Sequence, residues 1–316
     1  MITRLPELVG VTSHTEHSNG SMAECTVSEP NTIRTSCGAL VPRFSRPDAR
    51  SKELKSLSFY PSGVLRSISL DAQQTVKTPI GPFPAELVTF YETGEVDSVF
   101  PLNGQIGFGW TETEEKQLAQ TYSFQFSFGT LTTKIISIRF YPTGEVKSLL
   151  LWPDDTVVIP TPMGDCLARS GIRVYPDGAL ESFEPAVPVD ILTPIGIIRA
   201  YDVNALTVDG DENSVRFAAD GTLLQVATSG DIVVRSPEQG RVRISSRTRL
   251  ALATDTPVKL SITLRFEAGT VHFDNGEHQW SFPVEDCRFL ALPDIDPAGL
   301  VACDTDDCGT CGVACA

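Results

Sequence analysis

A short glycine-tipped phrase recurs along this chain and constrains its fold more than any other feature. The clearest copies are FYPSG at Gly63, FYETG at Gly94, FYPTG at Gly144 and VYPDG at Gly178, and weaker copies are EHSNG at Gly20, FAADG at Gly221 and FEAG at Gly269. Units of this size cannot each bury an apolar face alone, so the pattern predicts a repeat protein that folds as one array.

A second phrase follows the first at a regular distance. It reads TSCG from Thr35, TPIG from Thr78, TPMG from Thr161, TPIG from Thr193 and SPEQG from Ser236. In four units the Thr or Ser lies 15 residues after the first glycine, the Gly144 unit uses 17, and the Gly94 unit lacks the phrase. Because proline cannot donate to a sheet ladder, this phrase also marks a turn, and each full unit then holds about four short strands.

The first phrase has the residues of a tight hairpin turn. Ile138 and Phe140 alternate on one side before the turn, Pro142 fixes its own φ, and Gly144 supplies a positive φ. The Phe is therefore predicted to face the core and the Tyr the opposite face. The predicted turn glycines are Gly63, Gly94, Gly144, Gly178 and Gly221, and the predicted buried row is Phe59, Phe90, Phe140 and Phe217.

These patterns predict an all-β fold, with repeated antiparallel hairpins over residues 1–290 in an extended twisted meander or solenoid-like sheet. A closed ring resembling a β-propeller is the alternative, and the unequal unit lengths favour the open array. An insertion at 111–134 begins with a Thr-x-x-Glu capping box at Thr111 and Glu114, which predicts one short helix near 112–120. Residues 291–316 are predicted to form a Pro-containing linker and a Cys-rich tail.

The phrases FYPSGVLRS, FYETGEVDS, FYPTGEVKS and VYPDGALES resemble the MORN-type repeat, especially the variant of the YwqK-like bacterial antitoxin group. The resemblance covers roughly a third of the chain. Repeats of that family are shorter and more regular, and they lack the interleaved TPIG phrase. The resemblance implies an extended β-sheet used for protein interaction, with an antitoxin role as one form of it.

Charge and hydropathy narrow the choice of partners. The chain has 40 Asp and Glu against 25 Lys and Arg, a formal charge of −15, which repels phosphate backbones and anionic lipid heads. We therefore expect neither nucleic acid nor membrane as a partner.

The first residues contain no apolar stretch of signal-peptide length, and no apolar run approaches the roughly 20 residues of a membrane helix. A cytoplasmic location is the expectation.

The C-terminal sequence CDTDDCGTCGVACA contains Cys303, Cys308, Cys311 and Cys315. Two thiolates in C-x2-C spacing can reach one metal ion, and soft thiolates select zinc, copper(I) or an iron-sulfur cluster, so these four cysteines are a candidate zinc or Fe–S site. A tail with exposed thiols and a redox-active pair are the alternatives. Cys25, Cys37, Cys166 and Cys287 occur singly and are interpreted as buried thiols.

Motifs of catalysis are missing from the sequence. It contains no GxSxG, no GxxxxGK[ST], no GxGxxG after a strand and no HExxH, and only four histidines. We therefore expect no enzyme, but an interaction scaffold that offers its exposed sheet face and edge strands to another protein. A metal-binding or thiol-redox accessory protein acting through the tail is the alternative, and an enzyme with a cleft at 111–134 is the third hypothesis.

The metal hypothesis makes a direct prediction. Protein purified without oxygen should contain stoichiometric zinc or iron, and a variant ending at residue 302 should lose it, because thiolate ligands supply most of the affinity of such sites. Elemental analysis of the two purified proteins measures this. Equal metal content in both forms would exclude a site at these cysteines.

Overall fold

A computed structural model describes residues 7–46, 48–50, 55–103, 107, 109–209, 212–250 and 257–292. One helix, α1 (Glu112–Leu118), accompanies the strands β1 (Val11–Glu16), β2 (Met22–Val27), β3 (Ile33–Thr35), β4 (Gly38–Leu40), β5 (Leu57–Phe59), β6 (Leu65–Thr78), β7 (Gly81–Phe90), β8 (Val96–Phe100), β9 (Thr121–Phe126), β10 (Gly129–Phe140), β11 (Val146–Leu151), β12 (Thr156–Thr161) and β13 (Gly164–Val174). The later strands are β14 (Leu180–Pro185), β15 (Val189–Thr193), β16 (Gly196–Ala200), β17 (Val215–Phe217), β18 (Leu223–Thr228), β19 (Ile232–Ser236), β20 (Gly240–Ile244), β21 (Arg247–Leu250), β22 (Pro257–Leu260), β23 (Ile262–Glu267), β24 (Thr270–Asp274), β25 (Gln279–Pro283) and β26 (Arg288–Ala291).

The main sheet is a long antiparallel meander. Its strands pair in the order β1, β2, β5, β6, β7, β8, β10, β11, β13, β14, β17, β18, β23, β24 and β25. β9 and β12 complete its 17 strands by pairing with the far ends of β10 and β13. Among the described strands, β1 pairs only with β2 and β25 only with β24, so the sheet is open. The predicted all-β meander is confirmed and the ring alternative is wrong.

Each first phrase forms the turn that joins two strands of the main sheet. At FYPSG, the Gly63 N–H donates to the Tyr60 carbonyl at 2.8 Å, and the Tyr60 N–H donates to Val64 O at 2.8 Å. All seven first glycines have positive φ, from +78° at Gly269 to +106° at Gly144, in a region that a β-carbon disfavours. The predicted turns are confirmed.

The second phrases form hairpins that lie over one face of this sheet, which we call the inner face. β6 pairs with β7 over Ser67–Ser69 and again over Gln74–Thr78, so the same two strands serve the main sheet and then a second layer. The threonine of the phrase closes each turn by donating to the carbonyl of the glycine three residues later. These distances are 2.8 Å from Thr35 and 2.7 Å from Thr78, Thr161 and Thr193.

The Gly94 unit also has a second hairpin, although it lacks the second phrase. β9 and β10 pair from Thr121–Lys134 to Phe126–Gly129, with Gly129 again at positive φ. Aromatic residues stand at this turn in place of the Thr and Pro of the second phrase, and the rings of Phe126 and Phe128 stack with their centroids 5.2 Å apart.

Helix α1 precedes this hairpin, and the predicted capping box is confirmed. The Glu114 N–H donates to Thr111 Oγ1 at 3.2 Å, and the Thr111 N–H donates to Glu114 Oε2 at 2.8 Å.

The core lies between the two layers. Directly paired positions on successive strands of the main sheet form an unbroken buried row: Cys25, Leu57, Ile68, Val88, Val99, Ile138, Leu149, Ile172, Phe183, Val215, Val226, Leu264 and Phe273. The predicted row of Phe59, Phe90, Phe140 and Phe217 is buried beside it. Val76 and Ile198, from second-layer hairpins, belong to the same cluster, so each hairpin is buried only through its neighbours.

Tyrosines of the first phrase connect each unit to the next. Their hydroxyls donate to the carbonyl at the Phe position of the following unit: Tyr60 to Phe90 (2.8 Å), Tyr91 to Phe140 (2.7 Å), Tyr141 to Val174 (3.0 Å) and Tyr175 to Phe217 (2.8 Å). In the first unit His17 takes the tyrosine's place, with Nε2 2.9 Å from Phe59 O. The Gly221 unit has Ala218 at this position, so the series of side-chain hydrogen bonds ends there.

Replacing Gly144 with valine should lower the free energy of unfolding by about 1 to 3 kcal/mol, the usual cost of forcing a side chain into this backbone region. The φ of Gly144 is +106°, and an added Cβ would lie 3.4 Å from Pro79 Cβ. Gly144→Asn is the matched control at the same site, because asparagine tolerates positive φ better than a β-branched residue. Urea denaturation of both variants measures the difference, and equal stability of the valine variant and wild type would refute the turn geometry.

Tyr141→Phe should lower the free energy of unfolding by about 0.5 to 1.5 kcal/mol, because it removes one hydrogen bond between units and leaves the Val174 carbonyl without that donor. Tyr122→Phe is the control, since the Tyr122 ring packs on Phe83 at 4.7 Å and its hydroxyl makes no hydrogen bond within the described residues. Chemical denaturation measures both variants. An equal loss for the two substitutions would show that the hydroxyl does not couple the units.

Candidate functional site

The face of the main sheet opposite the second layer, which we call the outer face, carries a continuous polar row. Directly paired positions from β2 to β25 are Glu24, Ser58, Ser67, Thr89, Ser98, Arg139, Ser148, Arg173, Ser182, Arg216, Gln225, Arg265, His272 and Ser281. Side chains alternate between the two faces of a strand, so this row is the counterpart of the buried apolar row one residue away.

The size of the side chain changes along this row. The residue before the Phe or Val of the first phrase is Ser58 or Thr89 in the earlier units. The same position holds an arginine in the four later units: Arg139, Arg173, Arg216 and Arg265. The outer face is therefore low over β5 to β8 and raised from β10 onward.

Carboxylates neutralise the arginines. Arg139 Nε lies 2.9 Å from Asp97 Oδ1, and its Nη1 lies 3.6 Å from Asp209 Oδ1. Arg216 Nη2 lies 3.1 Å from Glu181 Oε1. Asp209 also accepts a hydrogen bond of 2.9 Å from Ser148 Oγ, so the chain between β16 and β17 reaches the outer face over the later units.

The same connection buries a carboxyl group. Glu184 on β14 is fully buried and accepts hydrogen bonds from Ser214 N (2.9 Å), Ser214 Oγ (3.0 Å) and Asp202 N (3.2 Å), while Arg169 Nη2 lies 3.6 Å away. Burial raises the pKa of Glu184 to about 6, because desolvation outweighs these hydrogen bonds and the nearby arginine. Val208 of the connection is also buried, so this part of the outer face is covered.

The low part of the outer face forms a groove of about 570 Å³, which we call the outer groove. The described residues that line it are Glu24, Lys55, Ser58, Tyr60, Arg66, Ser67, Ser69, Leu87, Thr89, Phe90, Asp97 and Arg139. Hydroxyl groups form its floor: Ser58 Oγ and Ser67 Oγ are 2.5 Å apart, and Thr89 Oγ1 donates to Asp97 Oδ2 at 3.0 Å. The groove exists because small side chains stand between large ones.

Tyr60 lines the groove, and Tyr91 holds the same position in the next unit. The Arg66 guanidinium lies 5.8 Å from the centre of the Tyr60 ring, and Tyr60 is fixed by its hydrogen bond to the next unit. Burial raises the pKa of Tyr60, and burial together with Asp97 raises the pKa of Tyr91 to about 12. Both hydroxyls are therefore protonated donors at neutral pH and do not act as bases.

The insertion that contains α1 is fastened by an ion-pair cluster. Arg50 binds Glu86 at 2.9 Å and Glu115 at 2.7 Å, and the Trp110 indole N–H donates to Glu115 at 3.0 Å. Glu115 is almost completely buried and all of its partners are structural. A catalytic cleft at 111–134 stays a prediction, and the contacts of this cluster do not support it.

The predicted metal ligands Cys303, Cys308, Cys311 and Cys315 lie outside the described residues, so the metal site stays a prediction. Within the described ranges, no group of three or more His, Cys, Asp or Glu side chains is placed to hold a metal ion. Cys25, Cys37, Cys166 and Cys287 are free and buried, as predicted. Burial raises the pKa of Cys25 to about 11, which leaves it an unreactive thiol.

The sequence predicts an exposed sheet face that carries the tyrosines, but it predicts neither the outer groove nor the tyrosine hydrogen bonds. The signal for the groove in the sequence is the change from Ser or Thr to Arg at the residue before the Phe or Val of the first phrase, which is visible when the repeats are aligned.

No protein-family profile, curated protein or solved structure matches this chain. No helix in the described part of the chain is long and apolar enough to cross a membrane.

Glu184 gives the protein a specific pH dependence. Because its pKa is about 6 in the folded state against 4.5 in the unfolded chain, the folded state holds the proton more tightly. The contribution of Glu184 to stability should fall by about 2 kcal/mol as the pH rises from about 4.5 to about 6, and then stay level. Glu184→Gln should lack this fall, since it cannot ionise. Denaturation curves of both proteins between pH 4 and 7 measure the difference, and parallel profiles would contradict the assignment.

Proposed function

We propose that this protein is a non-enzymatic interaction scaffold and that the outer groove binds a polar segment of another protein. The observation that carries the proposal is the groove itself, a concave polar surface set into an otherwise continuous sheet where Ser58 and Thr89 stand at the position that holds arginine in the later units. From β10 to β17 the face is occupied by paired arginines and by the connection between β16 and β17, whereas this part is open, with the Arg139–Asp97 ion pair in its lining.

The composition of the outer groove supports protein binding. Tyrosine and arginine are the side chains that contribute most often to binding energy at protein interfaces, and Tyr60, Arg66 and Arg139 form its walls. Hydroxyls, Asp97 and Lys55 offer both donors and acceptors to a polar partner. The groove is also preorganised, because hydrogen bonds between units fix its walls before any partner arrives, which lowers the entropic cost of binding.

The same residues favour binding over catalysis. Within the described lining of the outer groove there is no histidine or cysteine to serve with Ser58 or Ser67 as base or nucleophile. The two serines hydrogen-bond to each other. The resemblance to MORN-type repeats also agrees with a role in protein interaction, and an antitoxin role remains one form that the proposal could take.

The test fills the groove without disturbing the fold. Ser58→Arg places at this position the residue that the four later units already carry, so the fold should tolerate it. Partners captured from native cells by the wild-type protein should be lost with Ser58→Arg and kept with Ser123→Arg, a matched substitution of an exposed serine on β9. Quantitative mass spectrometry of the captured proteins measures this.

A captured partner that both variants retain would move the binding surface away from the outer groove. Circular dichroism and melting of the two variants must match, because an unfolded Ser58→Arg variant would lose partners for an unrelated reason. A direct titration of the purified partner with each variant then gives the affinity. We expect Ser58→Arg to weaken binding by more than tenfold, about 1.4 kcal/mol.

A further inference from the structure

Three arginines lie directly opposite one another on the second layer. Arg235 on β19 pairs directly with Arg241 on β20 and with Arg288 on β26. Directly paired residues project from the same face of a sheet, so the three side chains leave this three-stranded sheet together. All three are exposed, and we call them the arginine row. The neighbouring row around Val234 points to the opposite face and packs into the core.

The arginine row is confined to one unit. In every second-phrase hairpin, the residue before the Thr or Ser pairs across the turn with a residue on the same exposed face. In the other four hairpins this pair holds at most one cation: Arg34 with Ala39, Lys77 with Pro82, Pro160 with Asp165, and Leu192 with Ile197. The Gly221 unit has arginine at both positions, and β26 adds a third beside them.

No carboxylate neutralises the arginine row within the part of the chain that the structure describes. Arg243, on the same strand as one of its members, binds Asp231 at 2.6 Å. Glu238, Glu285 and Asp286 are close to the row in sequence, yet none of these described carboxylates forms an ion pair with it. Like charges directly opposite each other destabilise a sheet. A costly arrangement that the other units avoid therefore indicates a site for an anion.

The geometry of the row fits a phosphoryl group better than a single carboxylate. Three adjacent strands place the arginines over about 10 Å, two strand spacings, and each guanidinium presents a planar fork of N–H donors. A carboxylate has one charge and two oxygens. A phosphoryl group on a side chain carries about 1.5 to 2 negative charges and three acceptor oxygens, so it can bond to several guanidinium groups at once.

The surroundings of the row favour a phosphorylated protein segment as the carrier of this group. The chain has a formal charge of −15, so an extended polyanion such as nucleic acid would meet repulsion beyond the row, whereas one phosphoryl group stays within the screening length of about 8 Å. Leu290 lies two residues after Arg288 on the same face and is 60% exposed. A protein segment can cover this apolar side chain, and free phosphate cannot.

We propose that the arginine row binds a phosphoryl group on a phosphorylated segment of another protein. Arg235 is the central donor, Arg241 and Arg288 donate from either side, and the segment next to the phosphoryl group packs on Leu290. Recognition of a phosphorylated side chain by clustered arginines needs no change in the backbone of the sheet. The row lies on the second layer and does not depend on the function proposed for the outer groove.

The test uses a fluorescein-labelled heptapeptide of valine and glycine with one central phosphoserine, titrated with the full chain at about 0.15 M salt and followed by fluorescence anisotropy. We expect saturable binding, and at least tenfold weaker binding of the same peptide with serine. Inorganic phosphate should displace the peptide only at concentrations at least tenfold above the peptide's dissociation constant. Equal binding of the two peptides would overturn the proposal.

Two further results would also overturn it. Displacement by inorganic phosphate at the peptide's own dissociation constant would assign the row to free phosphate. Tighter binding of a ten-residue oligothymidylate than of the phosphopeptide would assign it to nucleic acid.

Arg235→Gln should weaken binding of the phosphopeptide at least tenfold without loss of folding, because it relieves the repulsion between like charges. Arg34→Gln is the matched control, since Arg34 occupies the same position in the first unit opposite Ala39, and it should leave the affinity within twofold. Equal affinity of Arg235→Gln and wild type would contradict the site. Binding that appears only after residues 293–316 are removed would do the same, because it would assign the row to this segment, which contains five Asp and no Lys or Arg.

Discussion

Burial of one apolar row between two layers is the constraint on which this structure depends. A single hairpin of the main sheet leaves its inner face uncovered, and a single second-layer hairpin leaves its own apolar side uncovered. Val88 and Leu149 are buried because they belong to one cluster that neighbouring units and the second-layer hairpins share. The long strands make this possible by serving both layers in turn, as β6 and β7 do. Stability is therefore a property of the array, and the positive-φ glycines form the turns that join the two strands of each unit.

The turns and the helix cap were predicted correctly because each of them is determined by a few neighbouring residues. Gly63, Gly144 and Gly178 form the expected turns, and Thr111 and Glu114 form the expected cap, since each depends on backbone conformation within a few positions. The second hairpin of the Gly94 unit escaped prediction because stacking of Phe126 on Phe128, a contact without a fixed motif, takes the place of the Thr-Pro turn. The hydrogen bonds from Tyr91 and its counterparts also escaped, because they join positions that are distant in sequence.

The candidate site follows from a difference between repeats, not from a motif. All units must keep a polar residue on the outer face, but a polar residue can be short or long. Short ones at Ser58 and Thr89 leave the outer groove, whereas Arg139 and the arginines beyond it fill the same space and bind carboxylates. The signal for this site in the sequence is therefore a change of residue between equivalent positions of the repeats, and no catalytic or metal motif marks it.

The sheet also limits how the outer groove can recognise anything. The groove lies on paired strands, and the backbone beneath it is already hydrogen-bonded in the sheet. Side chains alone are therefore offered to a partner there, and the strands hold them at the regular spacing of the ladder. A difference of one residue between repeats changes the shape of this face without changing the backbone that supports it.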